Sequence, residues 1–175
     1  MSRYRPPTPA GSKYITPQGE RRLREELDQL WRDERPRVTL AVQAAAAQGD
    51  RSENAEYTYG KKRLHEIDRR VRFLRNRLEG MTVVDPQASG AARETGRVYF
   101  GAWVEVLYPD GGRRWYRIVG PDEFDMDADY VSMDSPLGRS LLRKASGEQI
   151  SVDLPSGSTT LTVTAIHYGA RKPSR

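Results

Sequence analysis

The sequence predicts an α+β protein of two domains: an N-terminal antiparallel α-helical coiled-coil finger, then a small, mostly antiparallel sheet carrying one short helix. Three observations carry this. Apolar residues recur in steps of three and four as far as Leu78, the spacing of a helical seam. A polar stretch at 49–57 divides the pattern into two segments of similar length, which a short bend can join only by doubling back. After Gly80 the texture changes to short β-rich runs separated by Gly, Pro and Asp. On this reading residues 1–13 are a flexible tail, 14–80 the finger with its tip at 49–57, and 81–175 the sheet domain.

The first helix starts at Thr16-Pro17, a capping residue followed by proline at the first helical position, with Glu20 in the first turn. Leu23, Leu27 and Leu30 form its apolar face, with Trp31 beside them. Pro36 should kink or break the helix, since it lacks a backbone N–H and its ring crowds the preceding turn. Val38, Ala41 and Ala45 resume the face up to Gly49, and the segment from Val38 to Gly49 carries no charge. Its alanines favour helix and make a slender one. The second helix has the cleaner seam: Tyr57, Gly60, Leu64, Ile67, Val71, Leu74 and Leu78. Counted from Glu53, it would run about 38 Å at 1.5 Å per residue.

In the second domain, Met81–Asp85 reads as a short strand and 86–96 as a polar loop. Arg97–Tyr108 and Arg113–Val119 flank Pro109-Asp110-Gly111-Gly112, a hairpin signal. Tyr130–Met133 is a further strand, Ser135-Pro136 opens a short helix, and Ile150–Leu154 and Thr160–His167 close the sheet.

Charge narrows the function. The net charge is +5, which favours a polyanionic partner. Residues 61–78 hold eight cations (Lys61, Lys62, Arg63, Arg69, Arg70, Arg72, Arg75, Arg77) against Glu66 and Asp68. That strip suits the phosphates of a nucleic acid, and part of it can pair with Glu25, Glu26, Asp28, Asp33 or Glu34 on the first helix. The chain has no cysteine, hence no disulfide and no thiolate metal site, which fits a reducing cytoplasm. His65 and His167 lack ligand-like spacing, and no apolar run suggests a membrane span or a signal peptide.

At the bend, Asp50, Glu53 and Glu56 crowd together in sequence. Two readings compete. Asp50 could cap the second helix with Glu53 completing a capping box, favoured also by the helix dipole. Alternatively the carboxylates present themselves to a divalent cation such as Mg²⁺, whose remaining ligands a partner must supply.

The stretch Gly49-Asp50-Arg51-Ser52-Glu53-Asn54-Ala55-Glu56-Tyr57, followed by Gly60-Lys61-Lys62-Arg63-Leu64 and Ile67-Asp68-Arg69-Arg70-Val71-Arg72-Phe73-Leu74, resembles the Gre family of bacterial transcript cleavage factors, its GreB branch in particular. Tyr14-Ile15-Thr16-Pro17, Leu30-Trp31-Arg32, Glu34-Arg35-Pro36, Phe100-Gly101-Ala102-Trp103-Val104 and Asp134-Ser135-Pro136-Leu137-Gly138 extend the likeness from about Tyr14 to Tyr168. The loop Asp122–Asp129 finds no place in it.

The resemblance implies a coiled-coil finger, an FKBP-like sheet domain without isomerase activity, and a monomeric cytoplasmic protein that binds RNA polymerase at its secondary channel. It implies that Asp50 and Glu53 help hold Mg²⁺ jointly with the polymerase, so that the polymerase cleaves the extruded RNA 3′ end of a backtracked complex. Asn54, Glu56 and Tyr57 would support the tip, the basic strip would meet the RNA, and Asp134, Ser135, Pro136 and Leu137 would touch the polymerase. The chain would thus stimulate cleavage without being an enzyme itself. Two alternatives stand beside this: a non-cleaving channel regulator, and a basic coiled coil that binds nucleic acid alone.

Overall fold

A computed structural model of the chain describes residues 11–47, 54–88, 96–154 and 157–173. They form two compact units, one made of the N-terminal segment through Pro17 together with Thr82 onward, the other of Gln18–Met81.

The helical unit contains α1 (Pro17–Asp28), a π-helical segment (Gln29–Glu34), α2 (Arg35–Ala47) and α3 (Ala55–Glu79). The contacts run in opposite senses along the two halves: Ala45 meets Asn54, Val42 meets Gly60, and Glu26 meets Arg70. The hairpin is therefore antiparallel. Gly60, Ile67, Val71 and Leu74 are buried along α3, as are Leu23 and Ala45 on the opposite half. Tyr57, Leu64 and Leu78 are half-buried, so the predicted seam holds throughout.

Pro36 does not break the helix. The π segment ends just before it, and the Arg35 N–H reaches back to the Leu30 carbonyl, five residues away. The wider turn accommodates the proline where a regular α-turn would meet its ring and miss its N–H. One residue of the predicted face is corrected: Ala41 is exposed and Val42 turns inward instead. Val38 stays half-buried and Ala45 buried, since steps of four and three from Val38 serve one helical face as well as three and four. Val42 then lies against Gly60, where an added Cβ would fall 2.5 Å from the Val42 Cγ2.

The sheet unit is built on five strands in the order β5-β4-β3-β7-β6, comprising β3 (Trp103–Leu107), β4 (Arg113–Val119), β5 (Tyr130–Ser132), β6 (Gln149–Leu154) and β7 (Gly157–His167). All pairings are antiparallel except β4 with β5. One face carries the core: Val104, Val106, Tyr116, Ile118, Ile150, Val152, Leu161 and Val163, closed by Leu141 of the short helix α4 (Pro136–Leu141). The strand expected from Arg97 begins only at Trp103. Before it the chain turns at Gly101, whose φ of +81° and 2.0 Å clearance between an ideal Cβ and the Pro86 Cγ admit only glycine. Tyr168 fastens this irregular stretch, accepting from the Tyr99 N–H at 2.9 Å and donating to the Arg97 carbonyl at 2.6 Å.

The boundary between the parts differs from the expected residue 14. Strand β1 (Tyr14–Ile15) pairs in parallel with β2 (Thr82–Val83), which places it in the sheet unit. Thr16 is buried there too, giving its N–H (3.0 Å) and hydroxyl to the carboxylate of Glu123, which is 1% exposed. The end of the expected tail is also held: the Ser12 N–H donates to Asp134 at 2.7 Å. Residues 1–10 lie outside the described residues.

Candidate functional site

Asn54 links the start of α3 to the last turn of α2. Its backbone is extended, its Oδ1 accepts the Tyr57 N–H at 3.1 Å, and its Nδ2 donates to the Ala45 carbonyl at 2.9 Å. One side chain thus satisfies an orphan donor of α3 and an orphan acceptor near the end of α2. The capping alternative for Asp50 with Glu53 gives way to this arrangement, since the cap position of α3 belongs to Asn54. Asp50 and Glu53 themselves lie outside the described residues. Glu56 stands exposed in the first turn of α3, favourably placed for the helix dipole. Tyr57 is half-buried with the Lys61 Nζ 5.4 Å from its ring centroid. Among the described residues no group of three or more His, Asp or Glu side chains could hold a metal ion.

The basic strip of α3 divides into two flanks. On one, Arg63 binds Glu34 at 2.7 Å and Glu66 at 3.2 Å, and Arg70 grips Glu26 through both carboxylate oxygens at 2.6 and 2.8 Å. The hydrogen bond to Glu34, before that to Glu66, raises the Arg63 pKa above its ordinary value. Arg77 continues this flank in the last turn of α3. On the other, a shallow groove runs past Tyr57, Lys61, His65 and Arg69. There Lys61, Lys62, Arg69 and Arg72 are exposed, and none meets a carboxylate among the described residues. Arg75 lies 4.4 Å over the Trp31 ring. Sequence spacing grouped these cations; the structure sorts them by whether the first helix answers them with an acid.

The predicted contact loop of the sheet unit is also present. Ser135 caps α4, accepting the Gly138 N–H at 3.0 Å and donating to the Ser132 carbonyl at 2.7 Å, with Pro136 opening the helix. Pro136 and Leu137 border an open apolar hollow of about 900 Å³ shared with Phe124, Tyr130 and Val131. Asp134 lines it too, but its carboxylate already holds Ser12. Phe124, 55% exposed, comes from the acidic loop that the sequence left without a role. Its signal was an apolar aromatic amid aspartates.

Two family models cover most of the chain: an N-terminal transcription elongation factor domain over residues 13–83 and the GreA/GreB C-terminal domain over 93–168. The chain belongs to the GreA/GreB family of transcription elongation factors. A GreB of Pseudomonas aeruginosa is 54% identical over 96% of this chain and 98% of its own. A GreB of Haemophilus influenzae is 52% identical over 91% and 98%. Among solved structures, GreA factor homolog 1 of Thermus thermophilus is 26% identical over 88% of this chain and 97% of its own, with a TM-score of 0.39, too low to carry a structural argument. Both Gre units are thus accounted for, the helical hairpin and the sheet. No helix among the described residues is long and apolar enough to cross a membrane.

Proposed function

We propose that this chain binds RNA polymerase, enters its secondary channel with the helical hairpin, and stimulates cleavage of the extruded RNA 3′ end in backtracked complexes. The observation that carries this is the cap: Asn54 secures the start of α3, so the helix does not need Asp50 or Glu53 for that purpose. Carboxylates at this place in the sequence, close to Glu56, are suited to a hard cation. Two such groups leave most of an octahedral shell unfilled, which fits a Mg²⁺ held jointly with the polymerase. When bound, that ion supplies charge stabilisation for an in-line phosphodiester hydrolysis. The chain's own part is positional: Asn54 braces the turn, and Asp50 and Glu53 deliver two oxygen donors.

The open flank of α3 supports an RNA role for Lys61, Lys62, Arg69, Arg72 and Arg75, which attract phosphates whatever the sequence. Arg63 and Arg70 are assigned to holding the hairpin together. The hollow beside Pro136 and Leu137 is the surface we assign to the polymerase, with Asp134 supporting it through Ser12.

The test is cleavage in purified backtracked elongation complexes with Mg²⁺, with polymerase binding measured in parallel. The wild type releases 3′ fragments, and Asp50→Ala/Glu53→Ala binds without doing so. A wild type that binds and leaves the transcript intact would show a channel regulator instead. RNA binding without polymerase binding would show a plain nucleic-acid-binding coiled coil.

A further inference from the structure

The open flank ends at a feature that neither the turn nor a purely electrostatic strip requires. Trp31, in the π segment, is 41% exposed, whereas Leu23 and Leu74 in the seam are 2% and 0% exposed. It borders a groove of about 340 Å³ with Arg35, Asp68, Arg72 and Arg75. Two guanidinium groups lie over its ring, Arg35 at 5.0 Å and Arg75 at 4.4 Å. They differ in what else holds them. Arg35 is fixed by Asp68 at 2.8 Å. Among the described residues Arg75 meets only the indole, and Arg72 meets no carboxylate.

We infer that Trp31, with Arg72 and Arg75, forms a stacking site for one base of a single-stranded RNA lying along the open flank. This rests on the RNA reading of that flank given above. Arg75 is the movable part. As it leaves the indole for a phosphate, a base takes its place, so a cation–π contact is exchanged for a base stack and a charge-assisted hydrogen bond. Arg35 stays with Asp68 and keeps the ring oriented. An acidic peptide would use the guanidinium groups but has no need of an exposed flat ring; a nucleotide uses both. The spacing from Lys61 to Arg75 corresponds to about 21 Å of helix. The site therefore stands at the far end of the strip and gives a mobile strand a fixed point, where lysines and arginines alone would only attract it.

The full-length protein would be titrated with a short labelled single-stranded RNA, and the same variants tested for polymerase binding without RNA. Trp31→Ala is expected to weaken RNA binding about tenfold, within the range for one lost base stack, while Trp31→Phe keeps most of the affinity. RNA should also quench wild-type indole fluorescence, and the quenching should vanish in Trp31→Phe, a readout that stands even if Trp31→Ala folds poorly. If Lys62→Ala and Arg69→Ala weaken RNA binding but Trp31→Ala and the quenching signal show nothing, the RNA strip survives and the stacking site falls. If the wild type does not bind RNA at all, both readings fall. If Trp31→Ala leaves RNA affinity unchanged and weakens polymerase binding, the groove is a protein contact and the inference is overturned.

Discussion

The two flanks of α3 are composed of the same residue types and behave differently. Arg63 and Arg70 on one side are answered by Glu34 and Glu26 from the facing half of the hairpin. Arg69 and Arg72, on neighbouring positions of the same helix, are answered by no carboxylate among the described residues. Solvent screens exposed ion pairs, so each contributes little, and the closed flank is not chiefly a source of stability. It fixes the register of the hairpin and removes two cations from the surface field. The open flank keeps its field. A positively charged helix is therefore a poor unit of functional inference; the cations that lack an acid opposite them are the better one.

The largest expected effect erases the difference by removing the seam that separates the flanks. Gly60→Val should cost about 3 kcal/mol, the upper range for overpacking, because even a Cβ meets Val42. Thermal unfolding of the helical unit would show it, together with loss of the Arg63 and Arg70 pairings. Unchanged stability would mean the two helices do not meet at that height. Next comes the turn. Asn54→Ala should destabilise the hairpin by about 1 kcal/mol through loss of the cap, and should also reduce transcript cleavage if the cap positions the acidic turn. Cleavage at the wild-type rate in a measurably destabilised variant would separate those two duties.

The direct contrast of the flanks is smaller in stability and larger in binding. Lys62→Ala/Arg69→Ala/Arg72→Ala should leave stability within about 0.5 kcal/mol and flatten the salt dependence of RNA binding by a slope of about 2, at about 0.7 per phosphate contact. Arg63→Ala/Arg70→Ala should do the reverse, lowering stability slightly while leaving that slope nearly intact. Equal slopes for the two variants would abolish the distinction between flanks.

The smallest effect lies in the sheet unit and serves as a control. Burial, then the hydrogen bond with Tyr116 at 2.6 Å, pushes the Tyr108 pKa up to about 12. An unfolded tyrosine titrates near pH 10. Above that pH the unfolded chain has lost a proton that the native state retains, so stability falls as pH rises from about 10 to about 12. Tyr108→Phe should flatten that decline without moving the salt slope of RNA binding.

Much of the architecture was legible in the sequence, because periodicity reports burial directly. The seam from Tyr57 to Leu78 and the strand Arg113–Val119 both appear in the structure. Failures came where the pattern admits two solutions or where a local exception interrupts it. Pro36 signals a kink or break, but a wide turn precedes it and the helix goes on. Between Val38 and Ala45 the inward step falls on Val42, where Ala41 fitted the spacing equally well. Gly101 interrupts a run that looks β-like from Arg97 onward. At the candidate site the spacing of Asp50 and Glu53 suited a capping box, and only coordinates reveal that Asn54 bonds to both Tyr57 and Ala45. Which arginines find a carboxylate depends on contacts 29 and 44 residues apart in the chain. No local pattern encodes that.

The pairing of β1 with β2 has a consequence for the integrity of the molecule. The helical hairpin is inserted between two strands of the same unit, so the chain reaches it from that unit and returns to it. A backbone break between residues 47 and 54 would leave each fragment with half of the hairpin seam. The N-terminal fragment would also retain Ser12 on Asp134, Thr16 on Glu123 and the β1 pairing with β2. A cut in that turn would not by itself set the halves adrift, and the protein could be reassembled from two separately made fragments that recognise each other at both ends.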